Sequence, residues 1–299
     1  MGLDVRFLVG TLRPMKSIQT PVMAPEVTAI IPGTTRLYPV IGSPVAQVKA
    51  PMLYNALFTE HRIDAAVVPM EIAPEVYAQV LPALFKVGNI AGAMVTIPHK
   101  TATVALLDDC SQAVRIAGAC NAVVRRPDGT LYGELFDGIG FVHAAEKHGF
   151  SAKGARCLVV GTGGAGAAIA AALAQAGAST IRLFDARAAQ AEAVASHLSS
   201  FFPDTDIHVA EPHLAGFDLV VNATPLGMNL DDPLPIDVTQ IEPQMLIAEI
   251  VMKREITPML AAAQARGCRI VLGREMLREQ LALYLDFFGL TPATGSSLQ

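Results

Sequence analysis

The chain has 299 residues and a mass of 31.5 kDa, room for about two domains of ~150 residues each. Hydrophobic residues make up 52% of it and charged residues only 16%, with a mean hydropathy of +0.42; soluble domains average about 25% charge, so much of this chain is buried, by protein or by lipid. With 22 Lys and Arg against 27 Asp and Glu, a net charge of -5 and an isoelectric point near 5.8, it carries no electrostatic footprint for nucleic acid and no basic run for a membrane surface.

Residues 1–34 are rich in Pro, Thr and Gly and show no period. They read as an extension, flexible in part or left from a fusion, with no function assigned. The start, MGLDVRFLVGTLRPMKS, lacks a sustained apolar run behind a basic head, so no secretory signal is expected and the expected address is cytoplasmic. From Leu37 short apolar runs alternate with helical stretches: LYPVIG, a helix opening at Pro51, DAAVVPMEI, a helix from about Pro74 to Phe85, then AGAMVTIP. Both prolines suit the first turn of a helix, where a missing N–H is no loss. This β-α-β-α-β rhythm predicts a mostly parallel sheet.

A second series begins near Ala155. ARCLVVG reads as a strand buried on both faces, and TIRLFDA, HVA, FDLVVNAT, LIAEIV and RIVLG repeat the theme. No formal charge occurs between Arg156 and Arg182, a stretch long enough to cross a bilayer that needs ~20 apolar residues. Gly161, Gly163, Gly164, Gly166 and Gly177 interrupt it, which favours the inside of a sheet-and-helix unit. The last segment, REMLREQLALYLDFF, places Leu277, Leu281, Leu285 and Phe288 on one helical face. Cys110, Cys120, Cys157 and Cys268 are scattered without a C-x-x-C pair; they read as reduced core thiols, and no metal site is expected.

Two groups of residues carry candidate chemistry. Gly161-Thr-Gly163-Gly164-Ala165-Gly166 matches G-x-G-x-x-G after a buried strand and at the head of an Ala-rich helix. Glycines there permit a tight turn and close approach of a pyrophosphate to free helix N–H groups. The next strand ends in Asp185, nineteen residues past Gly166, where such folds put an acid on the adenosine ribose; a solvated loop acid is the plainer alternative. A carboxylate there repels a 2'-phosphate and favours NAD, while Arg187 keeps NADP open. In the first half, Lys100 follows the strand AGAMVTIP, and Asp137 lies in GELFDGIG at the junction of the halves. A Lys and an Asp across a cleft can relay the proton that leaves an alcohol as hydride departs. On residues alone they are equally a surface lysine and a turn aspartate.

VIGSPVAQVKAPMLYNALF, GAMVTIPHK, GACNAVV, FDGIG, GTGGAGAA, NATPLGM and GREMLREQ occur in the order and spacing of the shikimate dehydrogenase family, and the chain from about Leu37 to Phe288 resembles it. The resemblance implies an α/β fold with a substrate domain (residues 35–137), a Rossmann domain (138–272) and a C-terminal helix (273–299) returning to the substrate domain. It implies an NAD(P)-dependent alcohol dehydrogenase of shikimate or quinate type, in aromatic amino acid biosynthesis, with Lys100 and Asp137 as the catalytic pair. Asn121 and Gln280 match substrate ligands, although Gln280 on its own reads as a surface residue at the edge of the buried face. Asn222, Ala223, Thr224 and Pro225 match the loop at the nicotinamide ribose, with Gly227 and Met228 near the ring. A small-molecule substrate, no nucleic acid, no membrane and a monomer or homodimer are expected.

The departures bear on the substrate. Val48 and Ala50 stand where the family has two hydroxyls for a substrate carboxylate, and Met252 where it has an assisting Tyr; Thr96 alone survives of the pocket's hydroxyl ligands. A carboxylate buried without donors costs several kcal/mol. Lys49 is a replacement charge or a solvated helix-start lysine, His99 is polar beside Lys100 or merely structural, and Leu135 and Phe136 make the cleft drier. The expectation is hydride transfer between NAD, or NADP, and a cyclic hydroxy acid or polyol. Two alternatives stand: the same chemistry on a substrate lacking the carboxylate, and a non-catalytic NAD-binding protein, against which Lys100 and Asp137 together argue.

Overall fold

The structure is a computed structural model that describes residues 31–229 and 231–290, and most of the extension expected over residues 1–34 lies outside them. In chain order the first sheet and its helices are β1 (Arg36–Gly42), α1 (Ala50–Glu60), β2 (Ala65–Glu71), α2 (Pro74–Leu84), β3 (Gly92–Val95), α3 (Lys100–Val104), β4 (Asp109–Cys110), α4 (Gln112–Ala117), β5 (Ala122–Arg125) and β6 (Leu131–Glu134). Its order is β2-β1-β3-β5-β6-β4. The three strands expected from the apolar runs pair in parallel. β5 then runs antiparallel to β3 and to β6, because the turn Pro127-Asp128-Gly129 joins β5 and β6 as a hairpin: Gly129 takes φ +91°, and the Asp128 carboxylate accepts from the N–H and hydroxyl of Thr130.

The helix α5 (Asp137–Lys147) leads into the second sheet: β7 (Arg156–Val160), α6 (Gly164–Gln175), β8 (Thr180–Phe184), α7 (Ala188–Phe201), β9 (Asp206–Val209), β10 (Leu219–Asn222), β11 (Leu246–Glu249), α8 (Pro258–Ala265), β12 (Arg269–Val271) and α9 (Gly273–Phe287). All its pairings are parallel, in the order β12-β11-β10-β7-β8-β9. The order reverses between β7 and β10, and open α/β sheets take ligands at such a point, outside the carboxyl ends of the strands. The uncharged stretch from residue 157 to 181 is β7, the glycine loop, α6 and the start of β8, buried between sheet and helices. No helix among the described residues is long and apolar enough to cross a membrane.

Small side chains let α6 press on its neighbours. A Cβ at Gly138 of α5 would lie 2.2 Å from the Ala168 carbonyl oxygen, so glycine there is what lets the two helices meet. The helix α9 joins both halves: Met276 enters the core around Phe141 and Leu173, whereas Tyr284, Leu285 and Phe288 join Tyr38, Tyr54 and Phe58 over the first sheet. Each such large apolar side chain contributes about 1.5–3 kcal/mol on burial. The buried residues of α9 are Gly273, Met276, Gln280, Tyr284 and Leu285, with Leu277 and Leu281 only half-buried. Of the expected stripe Leu285 and Phe288 are buried, and packing on two sides widens the buried face so that Gln280 is also turned inward.

Candidate active site

Lys100 opens α3 directly after β3. Its neighbour His99 is buried and fixed: the imidazole Nε2 lies 2.7 Å from the Ile72 carbonyl oxygen and the ring stacks on Tyr77 at 4.0 Å and 6°. His99 is therefore a structural brace for the turn that presents Lys100. The Lys100 carbonyl accepts from Cys120 N–H at 2.9 Å, which ties this turn to the segment carrying Asn121.

Asp137 is in the first turn of α5, where the helix dipole favours an anion. Its side chain is 3% exposed and that of Lys100 13%. Lys100 Nζ donates to Asp137 Oδ2. Asn121 Nδ2 donates to Asp137 Oδ1 at 3.0 Å, and Gln280 Nε2 donates to the same oxygen at 3.3 Å. Asn121 Oδ1 in turn accepts from Phe136 N–H at 3.0 Å. A carboxylate this deeply buried persists only with such compensation. Four residues from four separate segments thus converge on one centre. The arrangement holds the Lys100 nitrogen against an anchored carboxylate: as the free amine it can accept the proton of an alcohol, and the carboxylate then stabilises the ammonium that forms.

The glycine loop lies against this centre. A Cβ on Gly164 would be 3.5 Å from Lys100 Cβ. Gly161 has φ +98°, and a Cβ there would come within 2.8 Å of the Ala223 carbonyl carbon; one at Gly166 would meet the Gly161 oxygen at 2.0 Å. Nothing lies within 4 Å of a Cβ on Gly163. Gly163, Gly164 and Ala165 are partly exposed at the N-terminus of α6. The loop is closed at both ends and open in the middle, where a pyrophosphate requires room and free N–H groups.

Asp185 follows β8 and turns toward the loop. Its Oδ2 accepts from the Thr162 N–H at 2.8 Å and hydroxyl at 3.0 Å, and its Oδ1 from the Arg187 N–H at 2.9 Å and Nε at 3.3 Å. Despite partial burial, these donors hold its carboxyl below the usual carboxylate range. The Arg187 side chain is 69% exposed. The loop from Asn222 to Met228 is folded by its own side chains: Asn222 Nδ2 donates to the Leu226 carbonyl at 2.9 Å, and Asn222 Oδ1 accepts from Thr224 N–H and hydroxyl at 3.0 and 2.6 Å. Ala223 and Thr224 are half-buried and Pro225 is exposed, with Met228 half-buried beyond Gly227.

The chain is similar to known proteins over most of its length. The family profile described as "Shikimate dehydrogenase substrate binding domain" matches residues 40–123. "Shikimate dehydrogenase (NADP(+))" of Acidiphilium cryptum (strain JF-5) is 40% identical over 270 residues, 90% of this chain and 96% of that one. The chain belongs to the shikimate dehydrogenase family. It is an NAD(P)-dependent oxidoreductase acting on a CH–OH group. Among solved structures, a shikimate dehydrogenase in complex with NADP+ is 26% identical with a TM-score of 0.82, covering 89% of this chain and 94% of that one. The ligand-free 5-ketofructose reductase of Gluconobacter sp. strain CHM43 is 26% identical with a TM-score of 0.77, covering 87% and 95%.

The positions that the resemblance assigns to the substrate carboxylate lie in an apolar setting. Val48 packs half-buried on the apolar cluster that includes Ala50, Tyr54, Phe136 and Tyr284, and Ala50 is 9% exposed. Phe136 lies edge-on to Tyr284, with ring centroids 4.8 Å apart. Leu135 is buried in the neighbouring cluster. Lys49 is exposed and Thr96 half-buried, while Met252 is exposed beyond β11. Among the described residues no group of His, Cys, Asp and Glu is arranged to hold a metal ion, and the four cysteines are free thiols.

Three contributors escape a reading of residues alone. Tyr284, one turn after Gln280, donates its hydroxyl to the Asn121 carbonyl at 3.0 Å. Thr162, inside the glycine motif, is the partner that turns Asp185 inward. Glu249 ends β11 fully buried, accepts from the Thr257 hydroxyl at 2.8 Å, and leaves Oε1 without a partner; burial pushes its carboxyl up to about 7. The i, i+4 spacing from Gln280 is the signal for Tyr284, and an acid at a strand's carboxyl end is the signal for Glu249.

Proposed function

We propose that this enzyme oxidises a ring hydroxyl of a shikimate- or quinate-type polyol reversibly to the ketone, with NADP as its cofactor. The observation that carries the reading is the contact of Lys100 with Asp137 immediately beside the glycine loop at Gly164. When bound, the nicotinamide supplies the hydride acceptor. The free amine of Lys100 takes the hydroxyl proton, Asp137 stabilises the ammonium so formed, and the proton leaves to solvent from Lys100, the more exposed of the two. Asn121 and Gln280 each keep one amide N–H on Asp137 and offer the second to the substrate's remaining hydroxyls. Gly161, Gly163, Gly164, Ala165 and Gly166 would hold the pyrophosphate, and the loop from Asn222 to Met228 would border the nicotinamide side.

NADP is preferred over the NAD expected from the charge of Asp185. Both Asp185 oxygens are occupied by Thr162 and Arg187, so the carboxylate supports the loop instead of meeting a ribose. The exposed guanidinium of Arg187, held at that edge by Asp185, is available to a 2'-phosphate. The relative from Acidiphilium cryptum is named for NADP(+).

A second reading, a substrate without the carboxylate, is favoured by Val48 and Ala50 in the apolar wall. Oxidation assays with shikimate and quinate and reduction assays with 5-ketofructose, each with both cofactors, test the proposal. Turnover of at least one substrate with NADP ahead of NAD is expected. No turnover of any of them with either cofactor, despite tight NADP binding, would contradict it.

A further inference from the structure

Among the described residues, the buried side-chain polar atoms without a hydrogen-bond partner are Tyr54 Oη, Glu249 Oε1 and Arg254 Nε. Glu249 and Arg254 lie at and beyond the end of β11, whereas Tyr54 lies in the substrate half, 1% exposed, within the same apolar cluster as Ala50 and Val48. A buried unpaired hydroxyl is destabilising and calls for an explanation in the ligand-bound state or elsewhere.

Its surroundings connect it to the proton-handling centre. Tyr54 meets Tyr284 edge-on with ring centroids 6.0 Å apart. The Tyr284 hydroxyl donates to Asn121, and Gln280, one turn earlier on α9, donates to Asp137. On α1, Tyr54 follows Ala50 by four residues and shares its buried face. Helical side chains lean toward the N-terminus of their helix, which for Tyr54 is the direction of Ala50 and of the two positions where the resemblance leads one to expect hydroxyls for a carboxylate. Val48 and Ala50 supply no donor there, and the neighbouring Lys49 is exposed.

We propose that the Tyr54 hydroxyl is the polar group with which this wall reads the substrate, through one hydrogen bond to a neutral hydroxyl or carbonyl oxygen of a polyol. The inference rests on the dehydrogenase reading above in its second form, a substrate without the carboxylate. A carboxylate needs several donors when it leaves water, and a single phenol among Val48, Ala50 and Phe136 does not supply them. A neutral oxygen needs one, and it also satisfies the phenol.

The test compares Tyr54→Phe with the native enzyme in NADPH-dependent reduction of 5-ketofructose and NADP-dependent oxidation of shikimate, with thermal melting alongside. The native enzyme is expected to give the higher kcat/KM with 5-ketofructose. Tyr54→Phe should raise KM for that probe about tenfold, the loss of one hydrogen bond, with kcat within twofold and a Tm no lower than native. Packing alone would not separate KM from Tm in this way. A KM within twofold of native overturns the inference, as does a fall in Tm accompanied by loss of kcat, or a native preference for shikimate. No turnover of either probe while quinate is oxidised overturns this inference alone; no turnover of quinate as well overturns the proposed function and this inference with it.

Discussion

Around Asp137 each carboxylate oxygen has its donors, from Lys100, Asn121 and Gln280, whereas the wall at the head of α1 offers Val48 and Ala50 and leaves the Tyr54 hydroxyl unpaired. The first region is organised before any ligand arrives, as proton transfer requires, since its geometry must be held within a fraction of an ångström. The second is apolar and leaves the Tyr54 hydroxyl unpaired. On the proposed reading the polar centre sets the reaction type and the dry wall the choice of substrate.

The comparison is broken most severely at the centre. Asp137→Asn keeps the shape but removes the charge that stabilises the Lys100 ammonium, and kcat is expected to fall by about 10²–10⁴-fold with the NADP dissociation constant unchanged. Steady-state kinetics and cofactor titration check this; a kcat within tenfold of native would show that Asp137 is structural. Val48→Ser combined with Ala50→Ser sharpens the comparison from the other side. Restoring two hydroxyls to the wall should raise kcat/KM for shikimate by about 10–100-fold, since hydrogen bonds to a charged group are worth roughly 1.5–3 kcal/mol each before losses. No gain would mean that the wall does not face the substrate.

Smaller effects are expected in the cofactor half. Arg187→Ala should raise KM for NADP by about tenfold, the value of one exposed charge-assisted contact, and leave KM for NAD within twofold; equal effects on both would dissociate Arg187 from the 2'-phosphate. The smallest expected effect is on stability. Burial raises the Glu249 carboxyl to about 7, above its ordinary value near 4.5, so the fold favours the protonated form. The stability this form contributes is complete below pH 4.5 and is lost as pH rises through about 7. Glu249→Gln should therefore melt above the native protein at pH 8, by about 2–4 °C, with the difference shrinking toward pH 5. A difference independent of pH would contradict the assignment.

Much of the framework was legible because it is periodic. The apolar runs from LYPVIG to RIVLG became strands, and Gly161 to Gly166 became the turn that its glycines require. Local turn chemistry beyond those runs was less visible: β5 and β6 carry no long apolar stretch, and their antiparallel hairpin follows from Asp128 and Gly129. The site depends on contacts between distant segments, which no local pattern encodes. Lys100 and Asp137 are 37 residues apart, and Gln280 reaches Asp137 across 143. A shared role for them was suggested only by family resemblance. Asp185 shows a further gap, for its position was correct while its orientation depends on Thr162 and Arg187.

The most direct test of the central claim is turnover by Lys100→Met, measured with NADP and whichever substrate of shikimate, quinate and 5-ketofructose the native enzyme uses, together with NADP affinity by fluorescence titration. Loss of turnover by about 10²-fold or more, with an unchanged NADP dissociation constant, is the predicted result. Turnover within a fewfold of native would contradict the assignment of the proton step to Lys100 and Asp137.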